Sequence, residues 1–391
     1  MTISSFFPLG GLAVLAATAL GGCSSPNATN DTHSIAVAAG PDSAATDPLD
    51  ARLQVVAEFT EPQMVGVAVA PGGKLFACFP RWDHNPVYPI AEVGPNNTLK
   101  PYPDASWCTW TDSVKNEPLK HWICPQTVHT DKSGMVWVLD PASPGLKGTV
   151  PGGPKLVKTD PQTNQVLLTI PFPESVAPRN SYLNDVRIDL PHAYAYLTES
   201  GTGALVVVDL KTLQSRRLLA NHPSTKAVQG LVIKAEGHAM LDAQGKPARF
   251  NADGIALSTD YAYLYYCPLT GHTLYRIRTE ALRNAALSEA QLGQLVETVG
   301  EIPASDGLEI DAANNVYLTS FEQGALLRRT PAGKIEVLAK DARLQWPDTY
   351  SFGADGSVYV ANSAIHKMPT WNKGVGQPRQ PFRIFKLVLP E

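Results

Sequence analysis

The sequence predicts an all-β fold, a six-bladed β-propeller whose N-terminal strand closes the last blade. Three observations carry this. One strand–turn–strand unit recurs six times along the chain, both ends of the folded region read as strands, and helical periodicity is scarce. A pair of β-sandwiches would need a compositional boundary near the middle of the chain, and none is present.

The repeats begin at residues 65, 127, 185, 253, 306 and 348, reading VGVAVAPGGKLFACF, TVHTDKSGMVWVLD, DVRIDLPHAYAYLTES, DGIALSTDYAYLYYC, DGLEIDAANNVYLTS and DTYSFGADGSVYVAN. Each has a short run rich in Val, Ile, Tyr or Trp, a turn carrying Asp, Gly or Asn, and a second apolar run, which is hairpin chemistry. Residues 204–210, 273–277 and 325–329 read as further strands. So do residues 53–59 and 382–389, which are expected to share the last blade with the N-terminal strand outermost. Radial closure leaves few sheet edges exposed. Residues 279–295 form the one clear helix candidate, with a candidate capping box from Ser288 to Gln291, expected as an insertion between blades.

Composition narrows the function classes. The 391 residues are 44% hydrophobic and 17% charged, enough to build a large core. A net charge of −4 argues against nucleic acid as a partner, because phosphate binding needs a basic face. No apolar run reaches the roughly 18 residues of a membrane span, which excludes a multi-spanning protein.

Residues 9–22 (LGGLAVLAATALGG) are too short to span a bilayer but suit the hydrophobic core of an export signal. They end in Leu20-Gly21-Gly22-Cys23, which looks like a bacterial lipobox, although residues 1–8 carry no Lys or Arg. Residues 1–22 are therefore read as a signal peptide and Cys23 as the lipidation site. Residues 23–50, polar and without an aromatic side chain, are read as a lipidated flexible tether, and residues 51–391 as the propeller. The expectation is an exported monomer, lipid-anchored at a membrane surface of the bacterial cell envelope. Of the remaining cysteines, Cys108 and Cys124 flank one loop and are expected to form a disulfide, while Cys78 and Cys267 read as buried free thiols.

In a propeller the first strand of each blade lines a central channel, and the first residues of those strands gather at one mouth. Here they are Gln126, Asn184-Asp185, Asn251 with Asp253, Ser305-Asp306 and Asp348. Converging Asp185, Asp253, Asp306 and Asp348 repel one another unless a cation, a ligand amine or protonation relieves the charge. Oxygen donors alone would suit Ca²⁺ or Mg²⁺. The blander reading is that each Asp caps its own turn. The hairpin ends should face the same mouth: Arg81-Trp82, Asp140, Thr198-Glu199-Ser200, Cys267-Pro268, Ser320-Phe321 and Asn362-Ser363. Phe321, Trp82 and Trp346 would then wall a site for a flat ligand, unless they are ordinary core. There is no Gly-x-Ser-x-Gly, and the nine His are scattered, with only His129 and His272 near strand ends.

Several motifs resemble the yellow/major royal jelly protein family. They are Phe79-Pro80-Arg81-Trp82, Trp137-Val138-Leu139-Asp140, Leu183-Asn184-Asp185, Ala195 to Gly201 (AYLTESG), Asp253 to Ser258 (DGIALS), Leu264 to Leu269 (LYYCPL), Ser305-Asp306-Gly307 and Trp346-Pro347-Asp348. The resemblance implies a six-bladed propeller that binds a small aromatic amine or catechol-like molecule in its channel, with dopachrome-isomerase-type activity in some members. On that reading Asp253 and Asp306 are the acid–base candidates, and Arg81, Trp82, Asn184, Asp185, Phe321 and Asp348 the ligand-binding candidates. The alternative is a divalent-cation-dependent lactone hydrolase similar to the gluconolactonase/regucalcin propellers, with Ca²⁺ as its cofactor and Gln126, Asp185, Asp253 and Asp306 as ligands. Met64-Val65-Gly66 stands where that group has its first-blade Glu.

Overall fold

The structure, a computed structural model, describes residues 49–377, 379 and 381–389. Six four-stranded antiparallel sheets account for nearly all of the regular structure. Their first strands are Gly66–Val69, Thr127–Thr130, Leu183–Asp189, Ala252–Leu257, Leu308–Ile310 and Pro347–Phe352. Each of these strands touches the first strands of both neighbouring blades, and the sixth returns to the first. That closed ring of contacts is the propeller the repeats predicted.

The hairpin pattern holds in every blade. In blade two, Thr127 pairs with Leu139 and Thr130 with Val136. The turn between them is fixed by Asp131, whose Oδ1 accepts from the amides of Ser133 and Met135, while its Oδ2 accepts from Trp137 Nε1 at 2.7 Å. The last blade runs Pro347–Phe352, Val358–Asn362 and Phe382–Leu387, with Leu53–Phe59 outermost, as expected. Leu53 pairs with Leu387 and Phe59 with Phe382 across the closure. Both Leu53 and Phe59 are buried, and each such side chain contributes about 2 kcal/mol.

Apolar side chains from facing sheets fill each gap between neighbouring blades. Blades two and three, for example, share Trp137, Leu139, Leu183, Val186 and Leu197. A further apolar cluster lies elsewhere, at the channel mouth. It joins Phe321, Trp346, Ile365 and Met368 to Ile233, Met240 and Ala248 from the long connection between blades three and four. That connection carries a small hairpin, Lys234–Ala235 with His238–Ala239.

Two expectations are corrected. The predicted helix over 279–295 is two short helices, Thr279–Arg283 and Glu289–Gln294. Asn284 breaks it, its Oδ1 accepting from the Ala286 amide, and the Ser288–Gln291 capping box starts the second helix. The pair sits inside blade four, between Thr273–Arg278 and Glu297–Glu301, and not between blades. The expected Cys108–Cys124 disulfide is absent: both are buried free thiols, as are Cys78 and Cys267. Cys108 Sγ faces the carbonyls of Ile90 and Tyr102, and the Arg81 guanidinium ties the Cys108 carbonyl to those of Trp122 and Ile123. The signal expectation, Cys23 and the tether up to residue 48 fall outside the described residues, while at the tether's expected end the Asp50 amide already donates to Asp341 Oδ2 at 2.8 Å, so the ordered chain starts before residue 51.

Candidate functional site

The hub is built by two Asp-Gly pairs. A Cβ on Gly254 would lie 2.5 Å from the Asp306 carbonyl oxygen, and one on Gly307 would overlap the Asp348 carbonyl oxygen. Glycine at these places is a matter of close approach, since it lets the first strands of blades four, five and six lie against one another. The result is that Asp253 and Asp306, far apart in sequence, meet side chain to side chain. Threonines of the second strands lock the arrangement. Thr198 Oγ1 donates to the Asp253 carbonyl at 2.5 Å, and the Gly307 amide donates to Thr319 Oγ1 at 2.8 Å.

The two carboxyl groups have different partners. Asp253 Oδ1 accepts from Asn184 Nδ2 at 2.6 Å, and Asp306 Oδ2 accepts from Trp346 Nε1 at 2.6 Å. Burial raises both from the ordinary 3.8. Asp306 is pushed up to about 6, held there by the Trp346 and Asp253 hydrogen bonds, which favour its charged form. Asp253 rises well above the usual range, through burial first and then through its charged neighbour. Of the two, Asp253 is raised further, so Asp306 gives up its proton first and Asp253 keeps its proton to higher pH, an arrangement suited to proton transfer.

This pair forms part of the floor of a cavity of ≈ 590 Å³ at that mouth. Aromatic walls come from Trp82, Tyr182, Phe250, Trp346 and Trp371. Tyr182 bridges two of the lining residues, accepting from Trp82 Nε1 at 2.8 Å and donating to Gln126 Oε1 at 2.7 Å. Its own backbone is pinned by Glu199, whose Oε1 accepts from the Tyr182 amide at 2.7 Å. Trp346 stacks on Phe321 with ring centroids 3.9 Å apart and on His366 at 5.9 Å. Lys147, Arg179 and Arg249, all exposed, also line it.

The predicted residues divide sharply. Trp82, Gln126, Asn184, Asp253 and Asp306 line the cavity. Arg81 does not: it is spent on the Cys108, Trp122 and Ile123 carbonyls and on Asn85 Oδ1. Phe321 lies behind Trp346, only 2% exposed. Asp348 sits off the cavity, buried, its Oδ2 without a hydrogen-bond partner among the described residues. Burial and the Asp306 charge raise its carboxyl well above the usual range. Asp185 is turned to Arg187, with Nη1 at 2.9 Å from its Oδ2. Asp140, expected at the mouth, is wholly buried against Lys155 Nζ at 2.7 Å and accepts from the amides of Ile123, Cys124 and Ala142. His129 lines a separate cavity of ≈ 470 Å³ at the opposite mouth, and His272 pairs with Glu322.

Among the described residues no three His, Cys, Asp or Glu side chains are placed to hold a metal ion. The set Gln126, Asp185, Asp253 and Asp306 does not assemble as a chelate, because Arg187 draws Asp185 aside and Tyr182 occupies the Gln126 oxygen. Sequence reasoning missed Tyr182, Phe250, Trp371 and the three cations. One signal was available: the widest spacing between repeats, from 185 to 253, contains the connection that delivers Arg249 and Phe250 to the mouth.

Fold and site together define a propeller with an acidic hub beneath an aromatic-walled cavity. The chain matches the major royal jelly protein family over residues 123–386 and belongs to that family. Major royal jelly protein 6 of Apis mellifera is 25% identical over 201 residues, covering 49% of this chain and 42% of that protein. Major royal jelly protein 2 of the same organism is 28% identical over 199 residues, 49% of this chain and 41% of that protein. The match thus spans less than half the length of these relatives. A gluconolactonase from Xanthomonas campestris has a similar fold, with a TM-score of 0.51 at 11% identity over 86% of this chain and 89% of that one.

Proposed function

We propose that the upper cavity binds a small aromatic amine or catechol-like molecule, and that the Asp253–Asp306 pair serves it as acid and base in a dopachrome-type tautomerisation. The observation that carries this reading is a buried pair of facing carboxyl groups, both raised by burial, beneath aromatic walls. A ligand ammonium would neutralise the buried Asp306 carboxylate, and its ring would stack on Trp346 or Trp82. In the isomerisation Asp306 takes a proton from a ligand carbon and Asp253 delivers one to the conjugated oxygen. The product differs from the substrate only in where that proton and the double bonds lie.

Calorimetry with dopamine and serotonin, together with a dopachrome turnover assay, tests this. Binding of at least one amine, lost in Asp306→Ala, is expected. No heat with either amine and no turnover would overturn the reading. The same reading sets a monomeric propeller at an envelope membrane through a lipid on Cys23, and metabolic palmitate labelling lost in Cys23→Ser checks the anchor.

The alternative, a divalent-cation-dependent lactone hydrolase, needs donors that the structure commits elsewhere, and the likeness to the gluconolactonase is one of fold. Lactone turnover abolished by EDTA and restored by Ca²⁺ would favour that alternative.

A further inference from the structure

The first strands also supply polar side chains to the opposite mouth of the channel. His129 of blade two, Arg187 of blade three, Glu309 of blade five and Ser351 of blade six all line the cavity of ≈ 470 Å³ there. That volume lies within the range of about 300–1,000 Å³ typical of small-molecule sites. Arg187 closes its inner end. It pairs with Asp185 and Glu309 and donates to the Leu308 carbonyl at 2.6 Å, which ties blade three to blade five across the channel. The charges around this cavity are balanced: Lys132 and Arg187 stand against Asp131 and Glu309. Asp131 is held by its own turn and by Trp137, and Glu309 by Arg187 and the Ile310 amide. Lys132 is exposed, its Nζ 4.5 Å over the Tyr261 ring, and one solvated ammonium holds an anion weakly. The uncommitted hydrogen-bonding groups are mostly neutral. Neither ring nitrogen of His129 has a partner among the described residues. Burial and the Arg187 charge push its imidazole well below the ordinary 6.5, leaving one N–H to give and one nitrogen to receive. Ser351 Oγ accepts from the Val69 amide at 3.0 Å and keeps its own hydrogen to donate. Glu309 Oε2, 3.6 Å from Arg187, can still accept. Ile188, Leu257, Ile310 and Phe352 set apolar surface between these groups.

We propose that this lower cavity is a second ligand site, for an uncharged polyhydroxylated molecule of monosaccharide size. A hydroxyl gives and accepts a hydrogen bond at once, which is what a neutral imidazole, a serine hydroxyl and a carboxylate oxygen call for between them. The C–H groups between the hydroxyls match the apolar wall. A charged ligand would meet no unbalanced charge beyond Lys132. The site is independent of the reading of the upper cavity, because Arg187 stands between the two.

Calorimetry on the purified full-length chain with D-glucose, D-galactose, D-mannose and myo-inositol tests this. At least one should bind in the millimolar range, and raising the salt should leave its affinity unchanged. His129→Leu should weaken it about tenfold, the loss of one or two hydrogen bonds, at an unchanged melting midpoint, because no protein group loses a partner. Lys132→Gln, an exposed substitution, should leave the affinity as it was. A crystal soaked in the bound sugar should show it against His129, a reading that holds even if His129→Leu does not fold. No binding by any of these probes, binding in the upper cavity alone, or an unchanged affinity in folded His129→Leu would overturn the proposal. So would an affinity that falls with salt or in Lys132→Gln, which marks a charged ligand.

Discussion

Burying Asp306 should leave a signature in how stability depends on pH. Its carboxyl moves from an ordinary 3.8 to about 6 on folding, chiefly through burial. The folded state then binds the proton more tightly than the unfolded chain between those two values. Where the native state holds more protons, stability falls as pH rises, so this group's contribution is present below about pH 4 and lost as pH climbs through 6. At 1.36 kcal/mol per pH unit the loss is about 3 kcal/mol. Replacing both members of the pair, Asp253→Asn with Asp306→Asn, keeps their size and removes both titrations, while the new amide oxygen at position 306 can still accept from Trp346 Nε1. Urea denaturation of the native and doubly substituted chains at intervals from pH 4 to 7.5 is the assay. The difference between the two should grow by at least about 3 kcal/mol in favour of the substituted chain, since Asp253, raised further than Asp306, adds to it in the same direction. Asp348 remains in both chains, and because the Asp306 charge helps to raise it, its relaxation in the substituted chain adds to the difference in the same direction. A difference that does not change with pH would refute the buried carboxyl pair and, with it, the acid–base role.

Three further outcomes follow from the geometry. Gly254→Ala places a methyl 2.5 Å from the Asp306 carbonyl oxygen and 2.9 Å from Leu308 Cγ, so chemical denaturation should show a loss of about 1–3 kcal/mol. An unchanged midpoint would mean that the inner strands are not so close. Arg81→Gln strips hydrogen bonds from three carbonyls and should cost on the order of 3 kcal/mol in stability, with the affinity of the folded fraction for dopamine retained. A selective loss of affinity at unchanged stability would return Arg81 to the binding site. Thiol alkylation of the unfolded chain without reductant, read by peptide mass spectrometry, should label Cys78, Cys108, Cys124 and Cys267 alike. A Cys108–Cys124 cross-linked peptide would contradict the free thiols of the structure.

Much of the fold was legible in the sequence because its information is local. A hairpin is specified by alternation over a few residues and by the turn between them, so the six repeats, the closing strand at 53–59 and the Asp-Gly strand starts could all be read without coordinates. Even the diversion of Asp185 was accessible: residues two apart on a strand point to the same face, which puts Arg187 beside it. What local pattern could not provide was the fate of side chains whose partners lie on other blades. Asp140 and Glu199 look like mouth residues in their motifs, yet they accept backbone amides that fix the 122–124 segment and Tyr182. Trp371 and Arg249 come from irregular connections with no periodicity to read. The same limit applied to Cys108 and Cys124, near in sequence but both buried as free thiols. Only the closed ring decided that Asp253 and Asp306, alone of the four inner carboxyls, meet beneath an open cavity. A carboxyl's charge state is set by how much water its surroundings exclude and by which groups face it across space, and neither quantity is carried by the residues beside it in the chain.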